Sequence, residues 1–152
     1  MSLRILPRLG ADDAVRLAPL LAAYSAALLH EEPGAPDETY ARALIDDHVA
    51  KIAGAELDGR LVGFAVYYDL PEAISRRRAG QLDDLYVDPA CRGRGVAQAL
   101  LERLVAHGET LGWVHLRWMV PEGNPAAALY DRLAERAPWH NYVIRIDRSV
   151  HW

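Results

Sequence analysis

The chain has 152 residues, 51% of them hydrophobic and 25% charged, with a formal net charge of −4 at pH 7. That length suits one domain of ~100–200 residues, and the apolar fraction excludes the hydrophobe-poor, highly charged regime of disordered chains. The negative balance excludes the strongly basic face of a dedicated nucleic-acid binder, and no run approaches the ~20 apolar residues of a membrane span. A single cysteine, Cys91, cannot form an internal disulfide, and the opening MSLRILPRLGADD has no signal-like apolar core. The expectation is a cytoplasmic protein with one domain over residues 1–152.

Leu3 to Leu9 alternates as a first strand. Asp12-Asp13 then offers an N-cap to a helix bearing Val15, Leu17, Leu20, Leu21, Tyr24 and Leu28. Pro33-Gly34 and Pro36 break it, and Asp37 is placed to cap a second helix with Tyr40, Leu44, Ile45 and Val49 on one side. Lys51 to Leu57 and Arg60 to Leu70 read as two strands joined by the two-residue turn Asp58-Gly59. A loop over residues 71–80, with Arg76, Arg77 and Arg78 as a solvated turn, leads to a strand from Gln81 to Val87 that Asp88-Pro89 stops. Helical spacing runs from Val96 to Leu111 and ends at Gly112. Trp113 to Val120 alternates as a strand, Asn124-Pro125 starts a helix through Arg136, and Asn141 to Ile146 closes the series as a last strand. This order is that of an α/β domain with an antiparallel front and a βαβ-like back.

The chemistry lies in residues 82–101, a strand, a loop with two glycines and a helix start. The first amides of that helix lack intrahelical acceptors and, with the helix dipole, form an anion site. Gly93 and Gly95 let an anion come close to the backbone, while Arg92 and Arg94 add positive charge. Two common phosphate loops do not fit. A P-loop needs a Gly-Lys pair, and the chain's only lysine is Lys51; the dinucleotide fingerprint needs a third glycine where Gln98 stands. The six histidines show no ligand spacing, so no metal site is expected.

Arg92-Gly93-Arg94-Gly95-Val96-Ala97 instead matches the R/Q-x-x-G-x-G/A signature, and the chain resembles the GNAT superfamily of N-acetyltransferases. Val87-Asp88-Pro89 before the loop, and Asn124 followed six residues later by Tyr130, extend the likeness over nearly the whole chain. Residues 63–68, 82–87 and 144–147 are similar to the diamine and polyamine acetyltransferase branch. At Ala134-Glu135, where many relatives carry Gly-Phe, the sequence departs from the pattern, so the turn after the last helix must be built differently.

The resemblance implies a mixed, mainly antiparallel central sheet with helices on both faces. It further implies acetyl-CoA as co-substrate, held by residues 92–97 and by the main chain of Leu85, Tyr86 and Val87, where the strand splays from its neighbour. Asn124 is an N-cap first, with a hydrogen bond to the pantetheine arm as a second role. Tyr130 is implied as the acid that meets the departing thiolate, and Asp83 as the carboxylate beside the acceptor amine. Because Asp83 and Asp84 are adjacent on a strand, they are expected on opposite faces. The expected reaction is direct acetyl transfer to a primary amine of a small cationic acceptor, without nucleic-acid or membrane partners; pairing into a homodimer stays open. Acetylation of a protein or peptide amine, and a non-catalytic acyl-CoA sensor, are the competing readings.

Overall fold

Asp58 and Gly59 both take positive φ, 51° and 83°, as the predicted two-residue turn requires of a hairpin matched to strand twist. That turn joins β2 (Lys51–Leu57) to β3 (Arg60–Glu72) in the computed structural model, which describes residues 2–150. By internal contacts the chain divides into two units, residues 1–118 and 119–152.

The first unit holds a five-stranded sheet in the order β1-β2-β3-β4-β5. Strand β1 (Leu3–Leu6), β2, β3 and β4 (Arg77–Val87) run antiparallel, and β5 (Trp113–Trp118) adds in parallel after the helix α3 (Val96–Leu111). Helices α1 (Ala14–Leu29) and α2 (Glu38–Ile45) cover one face. Their Leu17, Leu20, Ala41 and Ile45 bury against Ile52, Phe64, Val66 and Tyr86. The opposite strand positions face α3, where Tyr67 meets the ring of His107. Helices on both faces of a mainly antiparallel sheet are the predicted architecture.

Several boundaries differ from expectation. Strand β1 ends at Leu6, although the Leu9 amide still bonds Ile52 O at 2.9 Å. Val15 and Val49 are exposed, since α1 turns Val15 outward and α2 stops at Ile45. Asp13 does not cap α1: its carboxylate accepts from the Gly10 amide and from Arg16. Asp37 does cap α2, accepting from the Tyr40 amide at 2.9 Å.

Residues 71–80 are mostly ladder rather than loop. Glu72 closes a tight turn by accepting from the Ser75 amide at 2.7 Å, Arg76 takes φ 60°, and Arg77 and Arg78 already pair with β3. Arg78 bonds Asp69 Oδ1 at 2.9 Å across the two strands, so the arginine that read as solvated is a cross-strand partner.

In the second unit α4 is Ala127–Leu133, shorter than the predicted helix through Arg136. The segment 141–146 forms no strand: Tyr142, Ile144 and Ile146 are 87–92% exposed. Alternation prepares a strand but does not supply the ladder partner it needs, and the described part of this unit offers none.

The parallel strand is anchored by Trp113. Its Nε1 donates to Asp69 Oδ1 at 2.8 Å, and its ring lies where side chains on Gly80 and Gly108 would stand. Alanine in mid-helix is ordinarily worth ~1 kcal/mol over glycine, yet Gly108→Ala drives a methyl into a ring confined from both sides. We expect net destabilisation of about 1–2 kcal/mol, read as a lower midpoint of thermal or urea unfolding.

Candidate active site

Strand β4 pairs with β5 only from Arg78 to Leu82, which sits opposite Trp118. Among the described residues, β4 has no ladder partner on its β5 side beyond Leu82. The Asp88 amide bonds Val62 O on β3 at 2.8 Å, and residues alternate in antiparallel pairing, so Tyr86 and Asp84 also turn their main chain to β3. Leu85 and Val87 therefore turn theirs to the open edge. The Val87 carbonyl is taken by Arg92 Nε at 3.1 Å, leaving the groups of Leu85 and the Val87 amide facing the gap. Tyr86 contributes its ring to the core, against Tyr24 and Phe64 at centroid distances of 5.6 and 6.0 Å.

After β4, Asp88 accepts from the Ala90 amide and a short 3-10 turn, Pro89–Cys91, leads into the loop. Arg92 is held along the strand, with its guanidinium carbon 5.9 Å from the centre of the Tyr86 ring. Gly93 and Gly95 take φ 76° and 77°, left-handed values that favour glycine, and a Cβ on either would meet nothing within 4 Å. Val96 is buried at the start of α3, while Ala97 is half-buried on its first turn. Since Gly95 O accepts from the Ala99 amide, the amides of residues 96–98 precede the first intrahelical donor and point out of the helix end. Glycine backbone opening on free space, beside orphan amides and two arginines, suits a pyrophosphate.

The two aspartates do not lie on opposite faces. A bulge sits where Val66 pairs with Asp84 and Tyr67 with Leu82, so Asp83 has no partner of its own and the alternation breaks there. Leu82 shares the α3 face with Tyr67; Asp83 and then Asp84 both turn to the face of α1 and α2. Asp84 accepts from the Tyr24 hydroxyl at 2.8 Å. Burial pushes the Asp84 carboxyl above its ordinary range, the Tyr24 bond opposes this, and Asp83 adds to the rise. Tyr68, on the same face, has its hydroxyl pushed up by burial and by both carboxylates. Asp83 is exposed beside this cluster. Sequence spacing put Asp83 and Asp84 on opposite faces and missed Tyr24 and Tyr68; only the bulge, which has no residue signature here, would have revealed the cluster.

A carboxyl raised by burial binds protons more tightly in the folded state, so the fold loses stability as pH rises from 3.8 through the raised value. Asp84→Asn removes that loss. We expect a higher melting temperature than wild type at pH 7, with the difference vanishing below about pH 3.8, measured by calorimetry across pH.

In the second unit, Asn124 Oδ1 accepts from the Ala126 amide at 2.8 Å, so Asn124 is a turn cap just ahead of α4. Tyr130 lies on α4 half-buried, and burial raises its hydroxyl above the usual tyrosine range. Helix α4 stops at Leu133, and Ala134 is already extended, at the position where the family pattern has glycine.

The chain matches the acetyltransferase (GNAT) family over residues 17–134. It is 40% identical, with a TM-score of 0.85, to a ribosomal-protein-alanine N-acetyltransferase from Brucella melitensis biovar Abortus 2308, covering 96% of this chain and all of that one. An aminoglycoside acetyltransferase from an uncultured soil metagenomic sample is 27% identical with a TM-score of 0.79, covering 97% of this chain and all of that one. An L-2,4-diaminobutyric acid acetyltransferase from Nocardia farcinica is 35% identical over 83 residues, 54% of this chain and 42% of that protein. An uncharacterised N-acetyltransferase, YhfO, from Bacillus subtilis is 30% identical over 59% of this chain and 60% of that one. The chain thus spans about half the length of these two curated relatives. The open strand edge, the glycine loop at the end of α3 and the match over residues 17–134 place this chain in the GNAT acetyltransferase family.

Proposed function

We propose that the protein moves an acetyl group from acetyl-CoA to an amine of a small cationic acceptor by direct attack. The observation that carries the acceptor class is the pair of carboxylates that the bulge turns to one face, with the Tyr24 and Tyr68 hydroxyls beside them. The loop of residues 92–97 binds the pyrophosphate, and the open main chain of Leu85 and Val87 aligns the pantetheine amides. The Leu85 amide donates to the oxyanion of the tetrahedral intermediate.

An alkylammonium of pKa ~10.4 is only about 0.04% free base at pH 7, so the acceptor must lose a proton before it attacks. Asp83, exposed at the bulge, attracts the cation and takes that proton through water; Asp84, whose raised affinity for protons suits a base, shares it. The amine then attacks the thioester carbonyl. Collapse expels the CoA thiolate, and Tyr130 is the proposed donor to it, a role that rests on the family resemblance. Asn124 stays a proposed contact to the pantetheine arm on the same ground.

A second reading has support in the 40% identity to a protein named as a ribosomal-protein-alanine acetyltransferase: an acceptor that is the amino terminus of a protein. The two differ in chemistry, because an α-amine of pKa ~7.7–8.0 needs far less help to deprotonate. Asp83→Asn should lower kcat/KM for a diamine by about 10²-fold at pH 7 and recover partly towards pH 10, as free amine becomes abundant. An unchanged profile across pH 6–10 in Asp83→Asn, and in the double variant with Asp84→Asn, removes the carboxylates from the reaction.

A further inference from the structure

On the sheet face away from the acid pair, the first unit has a cavity of about 300 Å³. Register builds it. Lys51 on β2 is paired with Tyr67 on β3, which puts both side chains on the α3 face, and Arg103 and His107 lie one helical turn apart on α3. Arg8, in the segment after β1, completes the lining.

Three cations thus meet around the Tyr67 ring in a protein of net charge −4, and one of them is its only lysine. Among the described residues, the side chains of Arg8, Lys51 and Arg103 form no ion pair or hydrogen bond, although Lys51 is near enough to Asp69 to help hold that carboxyl below its ordinary range. The cavity's carboxylate, Asp69, is committed to Arg78 Nε at 2.9 Å and to Trp113 Nε1 at 2.8 Å. Arg8 and Arg103 are near enough to favour the ionised form of the Tyr67 hydroxyl, against the larger effect of burial, which raises it. Three cations around one concavity outnumber its single carboxylate and repel one another, and a multiply charged anion relieves that repulsion.

We propose that this cavity binds a small organic oxyanion, a phosphate monoester or a dicarboxylate, between Arg8, Lys51 and Arg103. Tyr67 and His107 offer hydrogen-bond donors, and the aliphatic carbons of the lining receive the ligand's apolar body. The site is separate from the glycine loop, which lies at the other end of α3. Tyr67 also sits at the register break that turns Asp83 and Asp84 together, so the occupant touches the strand that supports the acid pair.

The test is calorimetric titration of the full chain with inorganic phosphate and, separately, with succinate, together with melting temperature against anion concentration in chloride buffer. Variants are Lys51→Met, Arg103→Gln and, as a control for the glycine loop, Gly95→Glu. The expected result is saturable binding of at least one probe, weakened tenfold or more in Lys51→Met and in Arg103→Gln and retained in Gly95→Glu. The anion-induced rise in melting temperature should shrink in parallel. Phosphate binding without succinate binding assigns a phosphate ligand, and the converse assigns a dicarboxylate. Wild type that binds neither probe saturably, or Lys51→Met and Arg103→Gln variants that melt normally in chloride and bind as tightly as wild type, overturns the proposal. So does binding lost only in Gly95→Glu.

Discussion

Gly95→Glu should abolish measurable acetyl-CoA binding while the protein stays folded. Gly95 precedes α3 at φ 77°, and a Cβ there meets nothing within 4 Å, so the new side chain fits without collision in the protein itself. It enters the space proposed for the pyrophosphate and sets a negative charge against a dianion at the orphan amides of residues 96–98. The left-handed backbone costs roughly 1–2 kcal/mol with any L side chain, which a domain of this size tolerates. We expect CoA affinity to fall by at least 100-fold, about 2.8 kcal/mol, in calorimetry. A folded Gly95→Glu protein with wild-type CoA affinity would place the phosphates elsewhere.

Tyr130→Phe is the second large effect. Thiolate departure from the tetrahedral intermediate creates a group of pKa near that of cysteine, ~8.5, and a positioned hydroxyl that hydrogen-bonds it acts mainly in the transition state. Burial raises the Tyr130 hydroxyl further above its ordinary value, which keeps it protonated and able to donate across the physiological range. Phenylalanine keeps the ring and its packing. Loss of kcat by about 10²–10⁴-fold with little change in acetyl-CoA affinity is the expected pattern. Normal turnover in Tyr130→Phe, with loss of stability in Tyr130→Ala, would make the residue structural.

What could be read from sequence, and what could not, follows the range of each interaction. The Asp58-Gly59 hairpin, the Asp37 cap and α3 ending at Gly112 depend on neighbours in the chain, and all three are found where the residues put them. The glycine loop was legible for the same reason, since its conformation is set by Gly93 and Gly95 themselves. The acid pair was not. Its geometry depends on a bulge that no glycine marks, and on a hydroxyl, that of Tyr24, lying 60 residues from Asp84 in sequence. Arg77 and Arg78 were hidden by composition: three consecutive arginines read as solvated turn until a partner such as Asp69 appears across the ladder. At 141–146 the error ran the other way, because alternation was present and the partner strand was not.

Acetyl transfer to a small cationic amine releases free CoA thiol from acetyl-CoA, and that release is measured. The purified chain is supplied with diamines and polyamines, neutral amines, aminoglycosides and a peptide with amino-terminal alanine, and each product is weighed by mass spectrometry. Saturable thiol release that depends on the diamine or polyamine is expected, with one acetyl group added to the acceptor. Acetyl-CoA binding without acceptor-dependent release, or release with the peptide alone, would contradict transfer to a small cationic amine.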